Sequence, residues 1–321
     1  GVPNVIGVRT EDGQTLEADL VIDAGGRRSA LPRLLQESGG QAPREAVEDC
    51  GFAYFGRHFR SSDGSVPPLF GPPIQTYGSI TALTLPADNG TWSVTLVASA
   101  RDEPMRKVRH IDRWTAVVKE LPFAAHWLDG TPIEDRIVTI SKIEDRIRHF
   151  SDEKGDPIAT GVLAVADSWA CTNPSLGRGA SIGAIHATAL RDLLRTGAAD
   201  NPFELSAQWN RITTEVVEPW YTTTLAFDRH RLNEVHAILE GRTYDPQADE
   251  SWMFSKALEV AAGLDPECFR PFLSVVGVIR TQDEVFSDPT FRKKVADLTA
   301  DKLSAPDLGP DRAQLLQLLD G

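Results

Sequence analysis

Cysteine is scarce in this 321-residue chain. Cys50, Cys171 and Cys268 are its only three, far apart and odd in number. No CxxC spacing occurs, which removes a disulfide framework and a zinc knuckle from consideration and makes a reducing, cytoplasmic setting the expectation. Apolar runs of the roughly 18 residues that a membrane span needs are missing as well, and no signal-peptide pattern is read at the N-terminus. Positive charge is in deficit: 33 Lys and Arg stand against 46 Asp and Glu, a net charge of −13. A surface of that sign argues against nucleic acid as a partner, because phosphate binding needs a basic face. What remains is an ordinary globular composition, 41% hydrophobic and 25% charged, sufficient for one large domain or two ordinary ones. The chain starts at Gly1 and enters a strand pattern almost at once, so it is expected to begin in the middle of a fold.

Apolar residues cluster over Val5–Thr10 and Thr15–Asp23 around Glu11-Asp12-Gly13, which predicts a β-hairpin. Ser29–Gln36 reads as a short helix with Ser29 at its N-cap. Gln41–Asp49 is polar, contains Pro43 and reads as a crossing between layers. Strand patterns follow over Gly51–Phe59, Ser79–Leu85 and Thr91–Ala98, with Asn89-Gly90 as a hairpin turn between the last two. Asp112–Glu120 reads as a helix stopped by Pro122, and Ile137–Phe150 as one strand. After Asn201 helical spacing takes over, through Phe203, Trp209, Ile212, Val216 and Trp220, then Phe227–Leu239, Trp252–Ala262 and Phe291–Leu303.

The most specific stretch is Gly161–Leu194, GVLAVADSWACTNPSLGRGASIGAIHATALRDLL. Gly161–Ala166 is a short apolar run typical of a buried strand, Asp167 stands at its end, a Pro/Gly loop follows, and a helix is expected to start near Gly179. Three chemistries compete for it. A dinucleotide fingerprint needs the strand to feed directly into the glycines, whereas nine residues separate Asp167 from Gly177. A serine hydrolase finds G-x-S-x-G in Gly179–Gly183, with Ser181 followed by Asp228, His230 and His236, but the nucleophile elbow needs a strand just before the first glycine, and Asn173-Pro174-Ser175-Leu176 is not one. The third reading uses the whole stretch: Asp167 accepts hydrogen bonds from sugar-like hydroxyls, the glycines let a flat ligand approach the backbone, and the helix N-terminus favours negative charge or a polarised oxygen.

Read as a whole, the stretch resembles the second flavin-binding motif of the FAD-dependent aromatic hydroxylases and their relatives, the p-hydroxybenzoate hydroxylase-like (GR2) group, which includes squalene and polyether epoxidases and geranylgeranyl reductases. The family pattern of apolar strand, Gly-Asp, spacer, P-x-x-G-x-G and helix is matched by Ala166-Asp167, Pro174, Gly177 and Gly179. A second element, Ala18–Ser29 (ADLVIDAGGRRS), resembles the family's ADLVVDATGRxS, and the two lie about 140 residues apart in the family's order. The resemblance implies an α/β (mixed α+β) architecture: a partial FAD-binding domain over residues 1–45, a β-rich substrate layer over 46–155, a return to the FAD domain over 156–200 and a helical region over 201–321. It implies FAD as cofactor, NAD(P)H as a candidate electron donor and a small apolar or aromatic substrate. Asp167 would meet the ribityl or pyrophosphate region, and Pro174, Gly177, Arg178 and Gly179 the pyrimidine edge of the isoalloxazine. Asp23, Gly25, Gly26 and Arg27 would close over the cofactor from the neighbouring strand, although Asp23 also reads as a turn cap and Arg27 as a solvated surface residue. No catalytic acid or base is implied, since the flavin carries the chemistry through a C4a-hydroperoxide that hydroxylates or epoxidises; reduction of isoprenoid double bonds is the variant within the group.

The chain departs from the pattern in four places. Ala166 replaces the glycine before the aspartate, which is tolerable if its backbone stays in the β region. Gly25 replaces a threonine, and Arg178 stands where glutamine is frequent, either beside flavin N1 and O2 or facing solvent. No G-x-G-x-x-G turn precedes Val5, so the adenosine half of FAD finds no site in these residues, and a sequence lacking its N-terminal third is the expectation. The readings left beside it are the hydrolase and a non-catalytic chain.

Overall fold

The computed structural model describes residues 2–197, 200–245, 250–301 and 309–320. In chain order the strands are β1 (Gly7–Arg9), β2 (Thr15–Glu17), β3 (Val21–Asp23), β4 (Arg44–Asp49), β5 (Phe52–Arg60), β6 (Ile74–Tyr77), β7 (Ile80–Pro86), β8 (Thr91–Ser99), β9 (Thr131–Pro132), β10 (Val138–Ile140), β11 (Glu144–His149), β12 (Val162–Ala164) and β13 (Ala170–Cys171). The helices are α1 (Leu31–Glu37), α2 (Ile111–Lys119), α3 (Gly179–Leu194), α4 (Pro202–Val216), α5 (Glu218–Leu239), α6 (Glu250–Leu264), α7 (Pro266–Val276), α8 (Gln282–Phe286), α9 (Pro289–Thr299) and α10 (Arg312–Asp320). The fold class is mixed α/β. The residues divide into two units, one made of Gly1–Cys50, Glu144–Asp228 and Ala261–Asp297, the other of Gly51–Ile143, Arg229–Val260 and Leu298–Gly321. The helical residues after 201 are thus shared between both units.

In the first unit β12 lies parallel to β3, pairing Val162 with Val21, Leu163 with Ile22 and Ala164 with Asp23. The hairpin around Gly13 joins β1 to β2, as its sequence predicts. A three-stranded antiparallel sheet runs β13-β11-β4. The polar stretch Gln41–Asp49, expected to be a crossing, supplies the edge strand β4. Its charges are used across the pair, where Glu45 Oε1 accepts at 2.8 Å from both Arg146 and Arg148. Trp169, Val217 and Tyr221 pack with Leu31, Leu35, Ile147 and Val162 in one core cluster, and Leu163, Val165, Leu190, Leu193, Leu205 and Trp209 form a second between β12, α3 and α4.

The second unit is built on an antiparallel sheet in the order β10-β5-β8-β7-β6. Strand β8 shows the period of two that one buried face requires: Trp92, Val94, Leu96 and Ala98 all point into the core. Trp114, Val117, Val118 and Leu121 recur at helical spacing and join the same core. The indole N–H of Trp92 donates to the carbonyl of Trp127 and that of Trp114 to Phe55, so neither ring is buried with an unmet donor. Asn89 and Gly90 both take positive φ, 54° and 66°, as a two-residue hairpin turn demands.

Two local readings are corrected. Ile137–Phe150 is not one strand: Lys142 has φ +56°, and the chain leaves β10 in one unit to enter β11 in the other. Helix α1 begins one residue later than expected, with Ala30 at the N-cap, and Ser29 instead accepts from the N–H of Leu31 at 3.0 Å. The expected helix Phe291–Leu303 is seen as α9, and Leu303 lies outside the described residues.

Candidate functional site

The parallel pairing of β3 and β12 decides where the motifs meet. Parallel strands end on the same side, so the segments that follow Asp23 and Ala164 leave the sheet next to each other although they are about 140 residues apart in sequence. The register is extended by a hydrogen bond from the Val165 N–H to the Asp23 carbonyl, 3.0 Å. The N–H of Gly26 then donates to Ser168 Oγ at 2.8 Å, tying the two turns directly. Ser168 is wholly buried, and its carbonyl accepts from the Arg148 guanidinium at 2.8 Å.

These turns border a cavity of about 300 Å³, at the small end of the range for ligand pockets. Five of the residues singled out from sequence line it: Arg27, Asp167, Pro174, Gly177 and Gly179. Asp167 is half-buried, and its carboxylate has no hydrogen-bond partner among the described residues. Gly177 ends the turn Pro174–Leu176 at φ +64°, a left-handed conformation that side chains resist. A Cβ added at Gly177 or Gly179 would meet nothing within 4 Å, so both face open space. Helix α3 starts at Gly179, where its sequence places it, and no side chain caps its N-terminus. The first N–H groups of this 16-residue helix are therefore free to donate to a ligand.

Asp23, Gly25, Gly26 and Arg178 are not among the lining residues. Asp23 holds its own turn: its carboxylate accepts from the Gly25 N–H at 2.9 Å and from the Ser29 hydroxyl. Gly26 is at φ +75°, and a Cβ added there would come within 4.0 Å of that of Asp167. Arg27 is not a solvated surface residue, since its guanidinium donates to the carbonyls of Glu144 (2.8 Å) and Thr172 (3.0 Å). Arg178 does not line the cavity. Its Nε and Nη1 are shielded from solvent and unbonded, and burial lowers its pKa from the ordinary arginine value.

Ala166 is the clearest correction. Alanine in place of the pattern's glycine is tolerable there if the backbone stays in the β region, and it does not: φ is +55°. The position needs a left-handed residue, and alanine fills it under strain. The cavity lining also includes the apolar side chains of Ile182 and Val217 and the ring of Tyr221.

Two buried residues that sequence reasoning did not place in the site hold it together. Asp228 of α5 accepts from Asn173 Nδ2 at 3.0 Å and from Ser175 Oγ at 2.8 Å, gripping the loop on both sides of Pro174. Burial, with the nearby Asp145 carboxylate adding to it, pushes its pKa up to about 7 against the lowering effect of the two donors. His186 of α3 is fully buried, and burial pushes its pKa down to about 4. Neither has a local signal, because both face distant segments.

The hydrolase reading finds no local support at its candidate residues. Ser181 is exposed in the first turn of α3 rather than on a strand-to-helix elbow, the Asp228 carboxyl serves the loop, and His236 bonds Ser99 while His230 stacks on Trp252. Among the described residues no group of three or more His, Cys, Asp or Glu side chains could hold a metal, and no helix is long and apolar enough to cross a membrane.

No protein-family model matches the chain. Protein Rv3254 of Mycobacterium tuberculosis is 29% identical over 210 residues, which cover 64% of this chain and 43% of the relative. The match therefore spans less than half the length of that curated relative. Among solved structures, the Diels-Alderase PyrE3 of pyrroindomycin biosynthesis overlays 73% of this chain and 48% of its own, with a TM-score of 0.49 and 18% identity. For 2-methyl-3-hydroxypyridine-5-carboxylic acid oxygenase the figures are 76%, 62%, 0.49 and 17%. For PqsL, a probable FAD-dependent monooxygenase from Pseudomonas aeruginosa, they are 72%, 59%, 0.48 and 17%.

Proposed function

We propose that this chain carries the flavin-facing side of an FAD-dependent oxidoreductase of monooxygenase type, acting on a small apolar or aromatic molecule. The observation that supports it is the convergence of two motifs on one cavity, brought side by side by the parallel pairing of β3 and β12. The residues present suit a flavin. Asp167 offers an unpartnered carboxylate to the ribityl hydroxyls. Gly177 and Gly179 leave a flat opening over the backbone, and the free N–H groups of the first turn of α3 suit the electron-rich pyrimidine edge. Ile182, Val217 and Tyr221 add apolar surface to the lining, which suits a flat aromatic ring system. FAD, when bound, supplies the redox chemistry, accepting electrons from a donor such as NAD(P)H and activating dioxygen for transfer of one atom to an aromatic ring or an alkene. The protein groups position and desolvate, and the reaction requires no acid–base pair of them. Reduction of an isoprenoid double bond uses the same site and is the second reading.

The test is equilibrium titration of the chain with FAD, FMN and riboflavin, followed by quenching of flavin fluorescence. All three are expected to bind, because the cavity reads the part they share, and Asp167→Ala is expected to weaken each about tenfold, the loss of a hydrogen-bonded charge. Absence of saturable binding by any of the three, with the wild-type chain folded, would overturn the proposal.

A further inference from the structure

The bend that presents Asp167 is strained at Ala166, and the structure shows what holds it. Alanine at φ +55° is disfavoured roughly tenfold against its ordinary conformations. Its N–H donates at 3.0 Å to Nδ1 of His186, 20 residues further along the chain in α3. Because Nδ1 accepts, the ring proton is on Nε2, which donates to Thr213 Oγ1 of α4 at 3.0 Å. Both nitrogens of a fully buried ring are thereby satisfied in the neutral form. The ring lies flat against Trp209, centroids 4.4 Å apart and planes 10° apart, and edge-on to Trp169. Trp209 in turn donates to the carbonyl of Ala164, the last residue of β12. On the same face of α3, Gly183 leaves the space that Ala166 occupies: a Cβ at Gly183 would lie 3.1 Å from that of Ala166. An apolar side chain at 186 would fill the volume but leave the Ala166 N–H without an acceptor.

We propose that His186 is a positioning residue of the cavity: as a neutral Nε2–H imidazole it fixes Ala166 in the left-handed conformation and so turns the Asp167 carboxylate toward the ligand. The assignment rests on the flavin reading only for the identity of that ligand. A core histidine with no such role would affect stability alone.

The experiment combines two readouts on the folded chain. The first is free of ligand: the imidazole ¹⁵N shifts of wild type, and the amide-to-α coupling of Ala166 in wild type and His186→Leu. The expected result is an unprotonated Nδ1 in wild type and an Ala166 coupling that moves toward extended values in His186→Leu. A protonated Nδ1, or a coupling unchanged by the substitution, overturns the proposal. The second readout is riboflavin affinity in His186→Leu, expected to fall about tenfold, and in His186→Leu/Ala166→Gly, expected to return to within about twofold of wild type because glycine adopts the bend unaided. Affinity that stays low in the double variant overturns the positioning role. Should wild type bind no flavin, the flavin reading fails while the first readout still decides on His186; should His186→Leu fail to fold, the wild-type ¹⁵N shifts decide it.

Discussion

Replacing Asp228 by asparagine should stabilise this protein above neutral pH, although the residue is buried and doubly hydrogen-bonded. The carboxyl is 3% exposed and its folded pKa is pushed up to about 7 from 3.8. Folding therefore favours its protonated form. The stability linked to this group is complete below the unfolded pKa and is lost as pH rises through about 7. A difference of about three pH units between the two states corresponds to about 4 kcal/mol. Asparagine resembles the protonated carboxyl in shape. Its carbonyl accepts from Asn173 Nδ2, and its amide donates to Ser175 Oγ, whose hydroxyl turns to accept. The variant keeps both loop contacts and never ionises. Chemical denaturation of both proteins from about pH 4 to about pH 8 should give curves that diverge progressively, with Asp228→Asn gaining about 4 kcal/mol over wild type across the range. Subtracting the profiles removes every other titrating group. A pH-independent difference, or a variant less stable at about pH 8 than at about pH 4 relative to wild type, would show that Asp228 does not fold in its protonated form.

Three further outcomes follow from the packing. Gly179→Leu should leave unfolding stability unchanged or raised by about 1 kcal/mol, since a side chain there meets nothing and glycine is a poor helix former, while abolishing riboflavin binding; retained binding would show that the cavity lies elsewhere. Gly161→Ala should lower stability by at least about 3 kcal/mol, because φ is +72° and a Cβ would stand 2.0 Å from the Val5 carbonyl oxygen; an unchanged denaturation midpoint would contradict the close approach. Arg312→Met should lower stability by about 3–5 kcal/mol by leaving the fully buried Asp102 carboxylate without the bidentate partner that holds it at 2.6 and 2.7 Å. The buried tryptophans 92, 114 and 127, in the same core as Leu315 and Leu319 of α10, provide the fluorescence signal for that unfolding.

The parts of the fold legible in the sequence were those governed by near neighbours. Asn89-Gly90 announces its turn, the period of two in β8 shows its buried face, and the Pro/Gly loop before Gly179 marks the start of α3. Strand β4 was hidden because its residues, REAVED, are charged and exposed, and it is held by backbone pairing and by Glu45 reaching two arginines of β11. The left-handed Ala166 was hidden for a related reason: nothing in the residue itself asks for that conformation, which is imposed by the ring of His186. At the site, the glycine and proline positions carry a local conformational signal. Asp228 and His186 carry none, since each works through contacts 20 to 55 residues distant in sequence. Long-range burial of a polar side chain leaves no periodic trace.

In the proposed function the ends of β3 and β12 jointly form a flavin-facing cavity. A crystal structure of the chain with riboflavin tests it most directly. The ring system is expected over the Gly177–Gly179 loop, its pyrimidine edge at the first turn of α3 and its ribityl chain on Asp167. Density for the flavin at any other surface, with Asp167 left without a ligand contact, would contradict it.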